Sequence, residues 1–469
     1  MATGTYAWSA RLSKRHALSN VLRSILYPQQ GSHAVVQTVI TKGTILAINA
    51  ATGIISARAL HPTARGELSA MILWPVFLSS ALSLGVPSSL VFNLKQNHAD
   101  HKSLLSAAVW MGFILGSLAG LIGAIAMPHL LAQYPSWVVH AAQLFMLTTP
   151  LCTLMLVGRA TLETRGDFLA SNVVQLFTPL PTLAVLILLV VFGRMTPISA
   201  GLAYTLSGIP IFLWMVHRLY KTVHLEYRIP IRHIRSLLHY GIRSYGIDLL
   251  GTLAVQVDQV LVINLLNPAA MGTYVVALSL SRVLNVFQYS AVMVLFPRAA
   301  GRSVEEVVSM TERAARLSTA VTAACAVMVA LLGPLLLRLL YGSAYAAASS
   351  TLRILVIEVV FSGLVFVLSQ TFMALGRPGL VTMLQGTGLA LSVPLMLLFI
   401  PRFGIEGAAL ALLCSTLART VLVMGAFRYV LGVRKLSLVP TWRDLQNFWR
   451  MFVNRPSFSD PETVSEGVQ

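Results

Sequence analysis

The sequence predicts an all-α membrane protein with about twelve transmembrane helices in two pseudo-symmetric six-helix lobes, and three observations predict it. The first is composition. Hydrophobic residues make up 56% of the 469-residue chain and charged residues 11%, with a mean hydropathy of +0.76. Soluble domains carry about 25% charged residues, so water cannot cover this surface throughout. The second is the length of the apolar runs, such as TLAVLILLVVF (182–192) and LALSVPLMLLFI (389–400); a helix needs about 20 mostly apolar residues to cross hydrocarbon. The third is an internal echo. ALHPTARGEL (59–68) returns as LLNPAAMGTY (265–274), so that Leu60, Pro62, Ala64 and Gly66 recur as Leu266, Pro268, Ala270 and Gly272, 206 positions on.

Apolar length places the spans near 37–57, 69–92, 105–127, 138–158, 170–192, 198–217, 240–264, 271–296, 315–333, 353–375, 380–400 and 405–429. Each echo copy falls in the short connection after the first or the seventh span. There Pro disfavours helix in the residue before it and Gly lets the chain turn. A second match, ISAGLAY (198–204) with IEGAALA (405–411), opens the sixth and twelfth spans at an offset of 207. An even number of spans between copies sets the two halves parallel, related by an axis along the membrane normal. Carriers are often built from two such halves with a substrate path between them. Pro75, Pro87, Pro150, Pro179, Pro181, Pro210 and Pro394 interrupt or end spans, which suits a moving machine and equally suits static kinks.

The expected organisation is therefore a basic cytoplasmic segment (1–35), an N-terminal lobe (36–217), a cytoplasmic linker (218–239), a C-terminal lobe (240–430) and a cytoplasmic tail (431–469). RLSKRHALSNVLRSIL (11–26) and TWRDLQNFWRMF (441–452) carry apolar stripes among polar residues and read as surface anchors. SFSDPETVSEGVQ (457–469) has no periodicity and is predicted to be disordered. The first 35 residues lack an apolar core followed by a small-residue cleavage site, so insertion is expected through the first span.

A net charge of +18 invites a nucleic-acid reading, which the placement of the charges removes. With twelve spans and both termini on one side, 24 of the Lys and Arg residues fall on that side, six on the other and four inside spans, which accounts for all 34. This is the positive-inside bias expected for a correct span count and cytoplasmic termini. Cys152, Cys325 and Cys414 sit singly in apolar segments and suggest neither a disulfide framework nor a metal site. Neither histidine spacing nor a Gly-rich loop suggests a metal, another cofactor or ATP hydrolysis. Nothing resembles an enzyme's acid–base set.

Lys42, Arg243, Asp248, Asp258, Arg282, Glu358 and Arg419 lie in or at the edge of spans. Each costs about 3 kcal/mol at mid-membrane on insertion scales, so they must be hydrated or paired. Arg243, Glu358 and Arg419 lie near span ends and fit snorkelling. Arg282 is near the middle of the eighth span, with Ser279, Asn285 and Tyr289 on its face. Thr38, Lys42, Asn49, Gly53 and Ser56 form a polar face on the first span. On the seventh, Asp248, Thr252 and Gln259 share a side, flanked by Gln256 and Asp258. These stripes predict a wet cleft between the halves. Lys42, Asn49, Gln259, Arg282 and Asn285 are the expected substrate-binding set. Asp248 and Asp258 are expected to pair with the cations or to take up a coupling ion. Fixed Arg and Lys suit an anionic substrate with phosphate oxygens, whereas the two acids leave open a multidrug or cation extruder.

GIISARALHPTARGELSAMI (53–72) resembles the first-helix exit of bacterial polysaccharide-transport proteins, the lipid-linked oligosaccharide flippases of the multidrug/oligosaccharidyl-lipid/polysaccharide exporter superfamily. The stretch at 237–280, VLFPRAAG (294–301), LLRLLYGSAYAAASSTLRIL (336–355) and LFIPRFGIEGAALA (398–411) resemble it too. The resemblance implies the two-lobed MATE-like fold shared with multidrug extruders and peptidoglycan-precursor flippases. It implies movement of an undecaprenyl-diphosphate-linked oligosaccharide to the outer leaflet, with Lys42 and Arg282 as the cleft cations. The partners it implies are that anionic lipid, membrane lipids and polysaccharide-assembly proteins. The basic N-terminal extension departs from the family pattern.

Overall fold

Apolar runs of this length bury their backbone polar groups only by winding into helix. The computed structural model describes residues 32–96, 101–223, 231–299, 301–433 and 436–438. The expected anchors at 11–26 and 441–452 and the tail at 457–469 lie outside these residues. The N-terminal lobe contains α1 (Ser32–Ala81), α2 (Val86–Gln96), α3 (His101–Leu130), α4 (Ser136–Phe145), α5 (Thr149–Thr164), α6 (Phe168–Phe177), α7 (Pro179–Val191), α8 (Pro197–Leu206) and α9 (Ile209–Val223). The C-terminal lobe contains α10 (Ile231–Leu265), α11 (Pro268–Arg282), α12 (Asn285–Ala299), α13 (Val304–Leu336), α14 (Ser349–Ala374) and α15 (Pro378–Val430).

Nine helical stretches among the described residues are long and apolar enough to cross a membrane, and the bent pair α11–α12 adds a tenth. Two of the nine are double. α1 is broken at His61 (φ 59°, ψ 172°), and α15 is broken at Gly404 (φ 58°, ψ −134°). α15 folds back there, because Ser415 donates to the Gly388 carbonyl at 2.7 Å, a pair placed either side of the break. Counting both arms of each break gives twelve segments, consistent with the twelve spans expected. Within the expected linker at 218–239, α9 runs to Val223 and α10 starts at Ile231.

Helix starts follow their caps. Asn267 accepts from the Ala270 amide at 2.9 Å ahead of Pro268, and Thr196 forms a capping box with Ser199 ahead of Pro197, each satisfying amides that have no intrahelical partner.

The echo segments meet in space. A Cβ built on Gly66 would stand 1.7 Å from the Pro268 oxygen and 2.9 Å from the Gly272 nitrogen. One on Gly272 would stand 1.9 Å from the Pro62 oxygen and 2.9 Å from the Gly66 nitrogen. Equivalent positions thus touch reciprocally, as residues on a pseudo-two-fold axis must. Only glycine permits so close a backbone approach. Around this seam one buried core draws on both lobes, including Met71, Trp74 and Met127 from the first and Met271, Tyr274 and Tyr345 from the second. Near the other end the lobes meet along one flank. There Gly241 lies against Gly85, Phe92 stacks on Tyr240 at 3.9 Å, and Ser89 donates to the Leu237 carbonyl at 2.7 Å.

Candidate functional site

The second arm of contact leaves a gap on the side where α1 faces α12, and this gap is a cavity of about 760 Å3. On α1, Lys42, Ile45, Leu46 and Asn49 line it at helical spacing, so they share one face. Arg282 ends α11, and Asn285, Val286, Tyr289 and Met293 continue the wall down α12; Gln370 and Met373 of α14 close it. Of the expected binding residues, Lys42, Asn49, Arg282 and Asn285 are brought together from opposite lobes. Gln259 lines neither this cavity nor its neighbour. That neighbour, about 360 Å3, lies on the N-terminal-lobe side and shares Lys42, Ile45 and Asn49 with the first.

Arg282 stands where the eighth span breaks. α11 and α12 meet at 41° across Val283 and Leu284, a bend made without Pro or Gly. A bend strips carbonyls of their helical partners, and in a membrane these must be satisfied internally. Gln288, 1% exposed, adds side-chain donors to the carbonyls that open α12. With its amide oriented to satisfy both ends, its nitrogen donates to the carbonyls of Leu284 (2.9 Å) and Asn285 (3.1 Å), and its oxygen accepts from Thr322 at 2.9 Å. Gly363 makes the room, since a Cβ there would fall 2.2 Å from the Gln288 amide.

The two cavity cations differ in their partners. Arg282 is 3.3 Å from Asp258 Oδ2, and its Nη2 also donates to the Val255 carbonyl at 3.2 Å. Asp258 is 2% exposed and accepts from the Tyr274 hydroxyl at 2.9 Å. Lys42 Nζ donates instead to a neutral amide, Gln175 Oε1, at 2.5 Å. Behind it Gln175 donates to Ser171 (3.3 Å), and Ser171 to Glu163 (2.8 Å), which Arg159 faces at 3.7 Å. Arg282 is therefore charge-matched by Asp258. Lys42 has no carboxylate within ion-pair distance among the described residues, so the net positive charge of the cavity rests on Lys42.

Three expectations need correction. Asp248 pairs with no cation among the described residues; its Oδ2 accepts from Ser88 of α2 at 2.8 Å. Ten residues of helix, about 15 Å, separate it from Asp258, which puts Arg282 out of reach. Glu358 does not snorkel, because Thr416 donates to it at 2.8 Å across α14 and α15. Arg65, which the twelve-span reading places among the six cations of the opposite connections and their edges, is 7% exposed inside a helix. The connection is a single broken residue rather than a loop. The sequence reading also passed over Gln175, Gln288 and Gln370, whose signal was a long amide side chain inside an apolar span. Among the described residues no group of three His, Cys, Asp or Glu side chains could hold a metal ion.

A sequence model of the family described as "Polysaccharide biosynthesis protein" matches residues 55–350. A search of curated proteins finds no sequence match. Among solved structures, the chain is similar to the lipid II flippase MurJ in an inward closed conformation. The TM-score is 0.74 at 14% identity, over 90% of this chain and 93% of that one. It is also similar to an inward-facing multidrug resistance MATE transporter of the MOP superfamily, with a TM-score of 0.67 at 14% identity over 84% and 98%. A MOP-superfamily transporter from Pyrococcus furiosus, described as having a binding pocket of reversed polarity, aligns with a TM-score of 0.59 at 15% identity over 87% and 97%. The fold is the MATE-like one.

Proposed function

The chain belongs to the polysaccharide biosynthesis protein family, and from that premise we propose that it is a flippase for a diphosphate-lipid-linked oligosaccharide. It carries this lipid, an undecaprenyl-diphosphate conjugate, from the cytoplasmic to the outer leaflet of a bacterial inner membrane. The observation that carries the reading is the cavity of about 760 Å3 that sets Lys42 and Asn49 of one lobe opposite Arg282 and Asn285 of the other. An anionic headgroup entering it meets an ammonium without a carboxylate partner and a guanidinium held in place by Asp258. The side-chain amides of Asn49 and Asn285 supply donors for phosphate or sugar oxygens. Binding between the lobes then favours the arrangement that closes around the headgroup, because a ligand shifts a conformational equilibrium by its differential affinity for the two states. The positive-inside bias supports a cavity on the cytoplasmic half and a glycine seam on the outer half.

The acids that a cation extruder would present to its substrate are engaged elsewhere, Asp248 by Ser88 and Asp258 by Tyr274 and Arg282. The test is transfer of a fluorescent undecaprenyl-diphosphate-linked saccharide across reconstituted vesicles. The wild-type chain is expected to move it, and Lys42→Ala to slow the movement at least tenfold. Equal transfer by protein-free vesicles, or by Lys42→Ala, overturns the reading.

A further inference from the structure

The glycine seam contains a charge that the cavity does not use. Arg65 lies in the first turn after the His61 break, one residue before Gly66. It is 7% exposed, and its Nε and Nη1 are buried without a hydrogen-bond partner among the described residues. Its electrostatic neighbours are Tyr341 and Tyr345 of the opposite lobe. Those two rings meet edge-on at 6.2 Å, and Tyr345 donates to the Ala57 carbonyl at 3.0 Å. The acid nearest in sequence, Glu67, acts on Tyr134 instead, and no ion pair joins it to Arg65 among the described residues. A buried guanidinium whose N–H groups lack protein acceptors opposes closure of the contact around it.

The repeat supplies its own control. The position 206 residues after Arg65 is Met271, fully buried on the other side of the same seam. Packing here is therefore met by an apolar side chain of similar length. What the methionine lacks is a use in the state where the lobes have parted. Rise per residue separates the cations along the gap: Lys42 lies about 28 Å of helix before His61, and Arg282 about 21 Å beyond Pro268. Arg65 stands beyond both, on the seam side of the His61 break.

We propose that Arg65 is the exit-side anion-binding residue: as the seam opens, its guanidinium takes the phosphate oxygens of the headgroup that Lys42 and Arg282 held. This rests on the flippase reading above. The guanidinium is suited to the role because its donor fork matches phosphate geometry. Because its donors are unsatisfied when the seam is shut, it couples arrival of the anion to opening.

The test compares wild type, Arg65→Met and Arg65→Lys in vesicles loaded with undecaprenyl-diphosphate-linked saccharide. Lipid retained by the solubilised protein is expected to be unchanged in Arg65→Met and reduced at least tenfold in Lys42→Ala. Delivery to the far leaflet is expected to fall at least tenfold in Arg65→Met and to recover in part with Arg65→Lys. A second arm uses Gly272→Ala, whose Cβ cannot coexist with the Pro62 carbonyl in a shut seam. Inorganic diphosphate should bind this parted form, and adding Arg65→Met should weaken it at least tenfold. Unchanged delivery in Arg65→Met overturns the proposal while leaving the flippase reading intact. If wild type delivers no lipid, the flippase reading fails, and the diphosphate titration still decides for or against Arg65. If Gly272→Ala does not fold, the delivery comparison in the native seam decides.

Discussion

The two copies of the repeated turn share a frame and differ in chemistry. Leu60, Pro62, Ala64 and Gly66 match Leu266, Pro268, Ala270 and Gly272, and their backbones touch reciprocally. Yet Lys42 stands where the other lobe has Asp248, Arg65 where it has Met271, Thr52 where it has Asp258, and Val76 where it has Arg282. Even the turn is made differently. Asn267 caps its helix at φ −73°, an ordinary value, while His61 sits at φ 59°. The residues on the axis are under symmetric constraint because each must fit its own copy. Away from the axis that constraint lapses, and the charges a headgroup would meet are placed without symmetry.

The largest effect should come from breaking the symmetric part. Gly66→Ala and Gly272→Ala each drive a Cβ into a backbone carbonyl that cannot turn aside. Overpacking costs about 1–3 kcal/mol or more, and parting the lobes is the relief open to the seam. Spin labels across it should report a longer distance in both variants, by equal amounts. A clear inequality between them would show that the contact is not governed by the axis.

The asymmetric part should answer differently in its two cations. Arg282→Ala leaves Asp258 buried without its charge partner, a loss of about 3 kcal/mol, and Arg282→Ala with Asp258→Asn should recover most of it. Lys42→Ala removes an exposed side chain and should shift thermal stability by less than about 0.5 kcal/mol. It should nonetheless weaken binding of the diphosphate lipid at least tenfold. Equal destabilisation by the two single variants would contradict the assignment of net charge to Lys42.

These contrasts also mark how much could be read from sequence. Apolar length and the Pro-x-Ala-x-Gly echo were sufficient for the spans and the pairing of halves, because both are dictated locally by helix length and turn chemistry. Spacing on one helix face was sufficient to group Lys42 with Asn49 and Arg282 with Asn285. The bend at Val283 was not legible, since no Pro or Gly marks it and Gln288, which braces the start of α12, sits in a space left by Gly363, 75 residues on. Nor was the partner of Asp248, because Ser88 is brought to it from 160 residues away. Arg65 was misplaced because a one-residue break keeps the chain helical where a loop was expected.

The difference between His61 and Asn267 can be removed by a single change. His61 lies near a backbone region that is essentially restricted to glycine, where other residues carry about 1–3 kcal/mol of strain. His61→Gly should raise the thermal midpoint by an amount equivalent to about 1 kcal/mol, while the same change at Asn267 should lower it through loss of the cap on Ala270. Opposite signs at equivalent positions are the expected result.

The smallest effect concerns a contact with no counterpart across the axis. Asp167 caps α6 by accepting from the Ala270-like amide of its own helix, Ala170, and is 2.8 Å from Arg218 Nε. Burial alone would raise its pKa, but the hydrogen bonds from Arg218 and Ala170 outweigh this and hold the carboxyl below its ordinary range. A folded value below the unfolded one, about 3.9, stabilises the protein fully above that pH and loses this contribution as pH falls through the folded value. Both side chains are partly exposed, so the pair contributes no more than about 1 kcal/mol. Asp167→Asn should flatten the acid limb of the stability profile below about pH 4 and leave the profile at neutral pH lower by that small amount. If the acid limb is the same in the variant, the contact is a crossing of two exposed chains and holds neither helix end in place.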